Sequence, residues 1–241
     1  MLFKNYSFVV FIVSVFQGVY SFLDPSKCKF YQYSIPAYTS IERESNRWQR
    51  IGDSYYQTTN VNYYLYSNAT HTYVVGVCYE FSASDWGNRN RPIPKSIQDL
   101  VRTSCVAGQC DSGHLVPALL GGTNNPHNFV PQSSSLNRGS WRTSEEFCAD
   151  RDPMGSIVAI TIGYDYHRSS NIVPRSSISN LVYSQPLYMS MISYSNLSPY
   201  IDSRTLLYLC GKFRNDDQGR PYPYNTPQKL LSNIVPGDCP G

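Results

Sequence analysis

A histidine and a polar segment downstream of it are the residues of this sequence best suited to catalysis. His114 follows Asp111-Ser-Gly, and a histidine can take a proton from water near neutral pH. Asp111 stands three residues earlier and could orient His114 or balance its charge. Asn137, Trp141 and Glu145 follow at a spacing of i, i+4 and i+8, which places them on one face of a helix. A histidine opposite a helix that carries an amide and a carboxylate could activate water beside a hard metal ion.

These groups depend on a turn and a helix for their positions. His114 is predicted to lie in a glycine-containing turn, which a polar loop rich in proline, glycine and asparagine follows. Residues 133–150 are predicted to form one helix. Taken singly, each helix residue also has a structural interpretation: Asn137 as a cap, Trp141 as core and Glu145 as part of a solvated face. The catalytic interpretation therefore rests on the combination.

The chain has four histidines, and the other three are weaker candidates. His71 falls in a predicted hairpin and His167 in a predicted loop, so both are interpreted as surface or structural residues. His127, in Asn-Asn-Pro-His-Asn, is a second candidate for the catalytic base. No Gly-x-Ser-x-Gly elbow is present, which makes Ser112 a poor candidate for a nucleophile, and no phosphate-binding loop or dinucleotide fingerprint occurs.

The remaining segments predict an α+β fold with a central antiparallel sheet and a few flanking helices. Runs of β-branched and aromatic residues predict the strands, and residues 22–60 are interpreted as irregular. The predicted strands are residues 61–66 and 71–81, which form a hairpin, residues 155–164, and residues 180–194 as one or two strands. Residues 206–211 are predicted to be a strand or a helix, and short helices are predicted at 95–102 and near 227–234.

The first 21 residues resemble a secretory signal peptide in their chemistry. One basic residue, Lys4, precedes an apolar run at 6–16, and small residues follow it. A membrane anchor is the alternative, but this run is shorter than the ~20 residues that a span needs. Residues 22–241 are therefore predicted to form one secreted, soluble domain without stable membrane association. The formal net charge of +3 permits a polyanionic substrate without indicating one.

The cysteines predict disulfide bonds, as is usual in a secreted protein. Seven are present, all after the predicted leader: Cys28, Cys78, Cys105, Cys110, Cys148, Cys210 and Cys239. Cys105 and Cys110 could close a small loop just before Asp111, and the odd count leaves one thiol free or bonded to a partner. Zinc is the competing interpretation, but no Cys-x-x-Cys or His-Glu-x-x-His motif occurs. Glycosylation sequons at Asn68 and Asn196 are consistent with secretion.

The long motif that begins at Asp111 resembles that of the DNA/RNA non-specific endonucleases, the ββα-metal group. It reads Asp-x-Gly-His, then Asn-Phe-Val-Pro-Gln, then Leu-Asn-Arg-Gly-Ser-Trp-Arg-x-x-Glu, and it ends at Glu145. A Gly-Gly-x-x-Asn sequence lies between the first two parts of this motif. With it, the motif is most similar to the branch found in bacterial toxin nucleases. The resemblance implies a ββα-metal core and a nuclease that cuts DNA or RNA with little sequence preference.

The resemblance also implies a role for each motif residue. His114 matches the general base that activates water, and Asn137 matches the direct protein ligand of a hydrated Mg²⁺, or of Mn²⁺ in its place. Glu145 matches the glutamate that holds water on that ion. Arg138 and Arg142 could contact the phosphate backbone, which carries no sequence code.

One position departs from the family pattern. Ser112 stands where the family commonly has an arginine that contacts phosphate. The loss of a charged donor could weaken transition-state stabilisation by a few kcal/mol. Three functions therefore remain open: a secreted, metal-dependent endonuclease, a secreted nucleic-acid-binding protein with weak or lost nuclease activity, or a structural or interaction protein that kept only the fold.

Overall fold

The computed structural model describes most of the central part of the chain. The described residues are 22–28, 30, 37–47, 58–82, 92–105, 110–151, 156–164, 180–195 and 207–215. Several sequence predictions lie outside them: the signal peptide at 1–21, His167, the sequon at Asn196, Cys239 and the helix near 227–234. Within the described ranges, no helix is both long enough and apolar enough to cross a membrane.

A six-stranded antiparallel sheet forms the centre of the fold. Its strands are β1 (Ser40–Arg47), β2 (Thr58–Ser67), β3 (Thr72–Ser82), β6 (Ser156–Gly163), β7 (Tyr188–Ser195) and β8 (Leu207–Arg214). They are numbered in chain order and lie side by side in the order β1-β2-β3-β6-β7-β8. Between β3 and β6 the chain forms α1 (Lys95–Arg102), β4 (Asp111–His114), β5 (Phe129–Gln132), α2 (Ser134–Arg138) and α3 (Ser140–Arg151). The predicted α+β class with a mostly antiparallel sheet is confirmed.

Most predicted elements agree with this architecture. The β2–β3 hairpin and α1 are confirmed, and β8 shows that the ambiguous segment near residue 207 is a strand. The prediction that residues 22–60 are irregular is wrong, because β1 lies within them and β2 begins there. β1 has the sequence Ser-Ile-Glu-Arg-Glu-Ser-Asn-Arg and lies at an edge of the sheet. Edge strands are often charged, so β1 has none of the hydrophobic alternation that identifies a strand in sequence.

Both faces of the sheet carry a hydrophobic core. Val158 and Ala159 are neighbours in β6 but belong to different cores, because successive side chains of a strand point to opposite faces. The larger core includes residues of α1, β5, α2 and α3. The smaller core is covered by the N-terminal residues, where Leu23 packs and the disulfide Cys28–Cys78 joins that segment to β3.

A second disulfide and a free thiol lie in the part of the chain between β3 and β6. Cys105–Cys110 closes the loop just before β4, as the sequence suggested. Cys148 in α3 is a buried free thiol, the only one among the cysteines whose side chains the structure describes. The Cys105–Cys110 disulfide restrains the residues that lead into β4, the strand that carries His114.

The predicted single helix at 133–150 is wrong, because it is divided at Gly139. A Cβ atom at this position would lie 2.5 Å from the carbonyl oxygen of Ser135, so the local path requires glycine. Asn137 therefore belongs to α2, whereas Trp141 and Glu145 belong to α3. Their spacing is not that of one continuous helical face.

Candidate active site

β4 and β5 form a short antiparallel hairpin that carries the first part of the motif. Asp111 is paired with Gln132 at one end of the hairpin and His114 with Phe129 at the other. His114 thus lies in a strand, and the prediction of a turn is wrong. The pairing of Phe-Val-Pro-Gln with Asp-Ser-Gly-His involves only four residues on each side, too few to give a periodic pattern in sequence.

A buried asparagine fixes the chain immediately after His114. Asn128 Oδ1 accepts a hydrogen bond from the Val116 amide at 2.7 Å. Asn128 Nδ2 donates to the carbonyl oxygens of Val116 at 3.0 Å and Thr123 at 2.9 Å. Sequence analysis included Asn128 in the Asn-Phe-Val-Pro-Gln motif but gave it no role, because an asparagine in a Pro- and Gly-rich segment is typical of an ordinary loop.

His114 is a partly buried candidate base. Its ring lies 4.7 Å from that of Phe129 between centroids, and its Nε2 atom is buried without a hydrogen-bond partner. Burial lowers the pKa of His114 to about 4. The imidazole is therefore neutral at pH 7, with a ring nitrogen that makes no other bond.

Asp111 contacts α2 and does not contact His114. Its Oδ2 atom accepts hydrogen bonds from Asn137 Nδ2 at 3.0 Å and Arg138 Nε at 2.9 Å, and its Oδ1 atom accepts one from Arg138 Nη2 at 2.9 Å. Partial burial by itself raises the pKa of Asp111, but the hydrogen bonds from Arg138 and Asn137 outweigh it and lower the pKa. The expected role of Asp111 in orienting His114 is not what the structure shows, because residues three apart in a strand point to opposite faces.

The contact between Asp111 and Asn137 bears on metal binding. Asn137 Nδ2 is held by the carboxylate, so the amide oxygen Oδ1 is the atom left to face a cation. An amide oxygen suits a hard ion such as Mg²⁺, which keeps several waters and needs few protein ligands. Among the described residues, no group of three His, Cys, Asp or Glu side chains could hold a metal ion. The residues present therefore fit a hydrated hard cation.

Helix α3 is anchored to the sheet through Trp141. The indole is fully buried and packs edge-on against Phe213 of β8, with centroids 5.6 Å apart. One turn later, burial raises the pKa of Glu145 to about 8. Trp141 lies close enough to Glu145 to lower this pKa in part, although its Nε1 has no partner within hydrogen-bond geometry. Without a cation, Glu145 is largely protonated at pH 7.

The candidate phosphate-binding arginines are paired with carboxylates. Arg138 forms the bidentate contact with Asp111, and Arg142 Nε donates to Glu146 Oε1 at 2.8 Å. Both side chains remain mostly exposed, at 72% and 67%. Ser112 is buried, and its hydroxyl has no hydrogen-bond partner.

A fully buried glutamine, Gln132, lies beside Gly113. Sequence analysis included Gln132 in the motif but gave it no role. A Cβ atom at Gly113 would overlap the Gln132 side chain, which explains the glycine before His114. Neither polar atom of the Gln132 amide has a hydrogen-bond partner. Gln132 stands opposite Asp111, so both side chains lie on the same face of the hairpin.

The second candidate histidine lies in a different cluster. His127 Nδ1 is 3.0 Å from Glu42 Oε2 on β1, an ion-pair distance without hydrogen-bond alignment. Both residues line a cavity of about 710 Å³ between β1 and the β4–β5 loop. Glu44 also lines this cavity and accepts hydrogen bonds from Thr123 Oγ1 and Asn125 Nδ2. These contacts anchor the loop to the sheet.

Comparison with known families finds a match that begins at α1 and extends beyond β6. Residues 95–181 match the DNA/RNA non-specific endonuclease family. The predicted family is therefore confirmed for this endonuclease segment, which covers just over a third of the chain and includes every candidate site residue. The match supports nuclease activity, and such nucleases typically use a divalent metal ion. No curated protein matches the chain.

Proposed function

We propose that the chain is a secreted endonuclease that hydrolyses phosphodiester bonds of DNA or RNA, with Mg²⁺ or Mn²⁺ as cofactor and little sequence preference. The observation that carries this proposal is a neutral histidine, His114, whose buried Nε2 atom has no partner. At the other end of the same strand, Asp111 holds Asn137. An unpaired buried nitrogen costs stability, so its presence is expected where the nitrogen has a chemical task.

Each residue has a distinct task in the proposed reaction. His114 takes a proton from the attacking water at Nε2, and the negative charge of a bound phosphate would raise its pKa toward neutrality. Asn137 would hold the cation through Oδ1, and Glu145 would accept a hydrogen bond from water beside it. The cation supplies charge that screens the scissile phosphate and stabilises the leaving oxygen. Asp111 keeps Asn137 and Arg138 in place.

Contacts to the phosphate backbone explain low sequence preference. Arg138 and Arg142 are exposed on neighbouring helices, so both guanidinium groups can meet phosphate while their carboxylate contacts hold them in position. Phosphate contacts carry no base information, and they would allow either DNA or RNA as substrate.

The alternative is a nucleic-acid-binding protein with little activity. It is favoured by Ser112, which offers a buried hydroxyl where the resemblance leads us to expect a guanidinium. The decisive experiment incubates the purified, disulfide-bonded chain that begins at Phe22 with plasmid DNA and with RNA. Mg²⁺, Mn²⁺ or a chelator is present in separate reactions. We expect cleavage that the chelator abolishes, whereas gel retardation without cleavage in either metal would favour the alternative.

The proposal of secretion rests on features that are independent of the candidate active site. Disulfides form mainly in oxidising compartments, and Cys28–Cys78 and Cys105–Cys110 are both bonded here. The sequon asparagine Asn68 is exposed at the turn of the β2–β3 hairpin. N-terminal sequencing of protein from the culture medium is expected to begin near Phe22. Retention of residues 1–21 in that material would contradict the proposal.

A further inference from the structure

Asn215, at the end of β8, binds the junction between β5 and α2 across the fold. Its Oδ1 atom accepts a hydrogen bond from the Ser133 amide at 2.7 Å, and its Nδ2 atom donates to the Pro131 carbonyl at 2.9 Å. A single amide side chain therefore satisfies one donor and one acceptor on either side of Gln132. Asn215 is itself only 4% exposed.

The backbone of Asn215 is held as firmly as its side chain. Its amide donates to the Leu187 carbonyl at 3.0 Å, and its carbonyl accepts a hydrogen bond from Gln185 Nε2 at 3.0 Å. These bonds attach Asn215 to the segment that leads into β7. The central sheet thus holds Asn215 in place, and Asn215 in turn holds the junction between β5 and α2.

The junction matters because α2 begins directly after it. The helix has five residues, too short to be stable alone, and it is separated from α3 at Gly139. Its N-terminal end is capped by Ser133 Oγ, which accepts from the Leu136 amide at 3.3 Å. The placement of Asn137 therefore depends on the Ser133 junction, on the contact with Asp111 and on the burial of Leu136 in the larger core.

We propose that Asn215 is a positioning residue for the candidate metal ligand Asn137 and thereby sets the affinity of the site for a divalent cation. This inference rests on the proposed function. Asn215 lies outside the motif and outside the segment that matches the endonuclease family. Loss of its side chain would leave the Ser133 amide and the Pro131 carbonyl buried without partners, and the start of α2 would shift to find new ones.

The test is a titration of the full disulfide-bonded chain with Mn²⁺ in the absence of nucleic acid. Electron paramagnetic resonance measures the fraction of Mn²⁺ that is bound. Asn215→Ala is expected to weaken Mn²⁺ binding by about 10- to 100-fold, which is typical when the support of a metal ligand is removed. The cleavage assay should show the same shift in the Mg²⁺ concentration for half-maximal rate, with a smaller change in the rate at saturation.

The matched control is Asn62→Ala. Asn62 is also a fully buried asparagine, and its Nδ2 donates to the Leu23 carbonyl at 3.0 Å beneath the N-terminal segment. This variant should lose comparable thermal stability while its Mn²⁺ affinity stays unchanged. Should Asn215→Ala fail to fold, Asn215→Asp keeps the acceptor for the Ser133 amide and should weaken Mn²⁺ binding to a lesser extent.

The outcomes separate this inference from the function on which it rests. A wild-type chain that binds Mn²⁺, together with an Asn215→Ala or Asn215→Asp variant of equal affinity, overturns the positioning role alone. Equal weakening in Asn62→Ala also overturns it, because the effect would then follow from general destabilisation. A wild-type chain that binds no Mn²⁺ and cleaves nothing overturns both proposals.

Discussion

The two ends of β4 carry ionisable side chains in opposite circumstances. At the first residue, Asp111 has both carboxylate oxygens bonded to α2, and its pKa is lowered chiefly by those hydrogen bonds against the effect of burial. At the last residue, His114 has a buried nitrogen without a partner, and burial alone lowers its pKa to about 4. One short strand therefore presents a charged group and a neutral one at pH 7.

The difference separates an anchor from a reactive group. A carboxylate whose bonds are all made resists movement and keeps its neighbours in place. A buried nitrogen with no bond to lose can accept a proton from substrate water without first breaking a contact. The comparison predicts that changes at the two ends of β4 will differ in kind as well as in size.

The largest effect is expected for His114→Ala. Removal of the general base should lower the cleavage rate by about 10²- to 10⁴-fold, with nucleic-acid binding largely retained. Added Mg²⁺ should not restore the rate, since the cation does not replace the base. Steady-state cleavage of plasmid DNA is the measurement, and His127→Ala is the control expected to stay close to wild type. An inactive His127→Ala enzyme beside an active His114→Ala enzyme would reverse the assignment.

Stability should depend on pH through the same histidine. The pKa of His114 is about 4 in the folded chain and about 6.5 in an unfolded one, so between pH 6.5 and 4 the unfolded state binds the proton more readily than the folded state. The free energy of unfolding should fall by up to about 3 kcal/mol as pH decreases from 6.5 to 4.

His114→Gln isolates this contribution. Burial raises the pKa of Glu145 to about 8, which lowers stability as pH rises from about 4.5 to 8 and has the opposite slope. The difference between wild type and His114→Gln removes the Glu145 contribution. Denaturant unfolding of both proteins at several pH values is the measurement, and parallel curves between pH 6.5 and 4 would argue against a buried neutral histidine.

A smaller and different effect is expected at the other end of the strand. Asp111→Asn keeps one oxygen for Asn137 but loses the charge that fixes Arg138, so the cleavage rate at low Mg²⁺ should fall by about 10- to 100-fold. Unlike His114→Ala, this variant should recover much of its rate at high Mg²⁺. Rate measured against Mg²⁺ concentration tests this, and a loss that no Mg²⁺ concentration relieves would place Asp111 in the chemistry itself.

The smallest effect is expected from Ser112→Arg. Ser112 shares a face of β4 with His114, so a guanidinium there would approach the same substrate atoms. We expect a rate gain of about tenfold, reduced by the cost of placing a long side chain at a buried position. Ser112→Met has similar length without charge and serves as the control in the same turnover assay. A gain of equal size in both variants would exclude a charge effect.

The sequence was informative where chemistry or strand composition is local. The motif from Asp111 to Glu145 led to the family and to His114 and Asn137 as candidates, and β-branched runs predicted the inner strands. The break at Gly139 was missed because the clash with the Ser135 carbonyl exists only in three dimensions. Asn215 was missed because its partners, such as Ser133, lie far away in sequence and its own surroundings are polar.

The position of the elements α1 to α3 between β3 and β6 has a consequence for synthesis of the chain. These two strands are neighbours in the sheet, yet every element from α1 to α3 is made between them. During synthesis on the ribosome, one edge of β3 stays unpaired until β6, which begins at Ser156, has emerged. Such non-local pairing slows folding. A chain released before Ser156 would contain every residue of the candidate site but only half of the sheet that supports it.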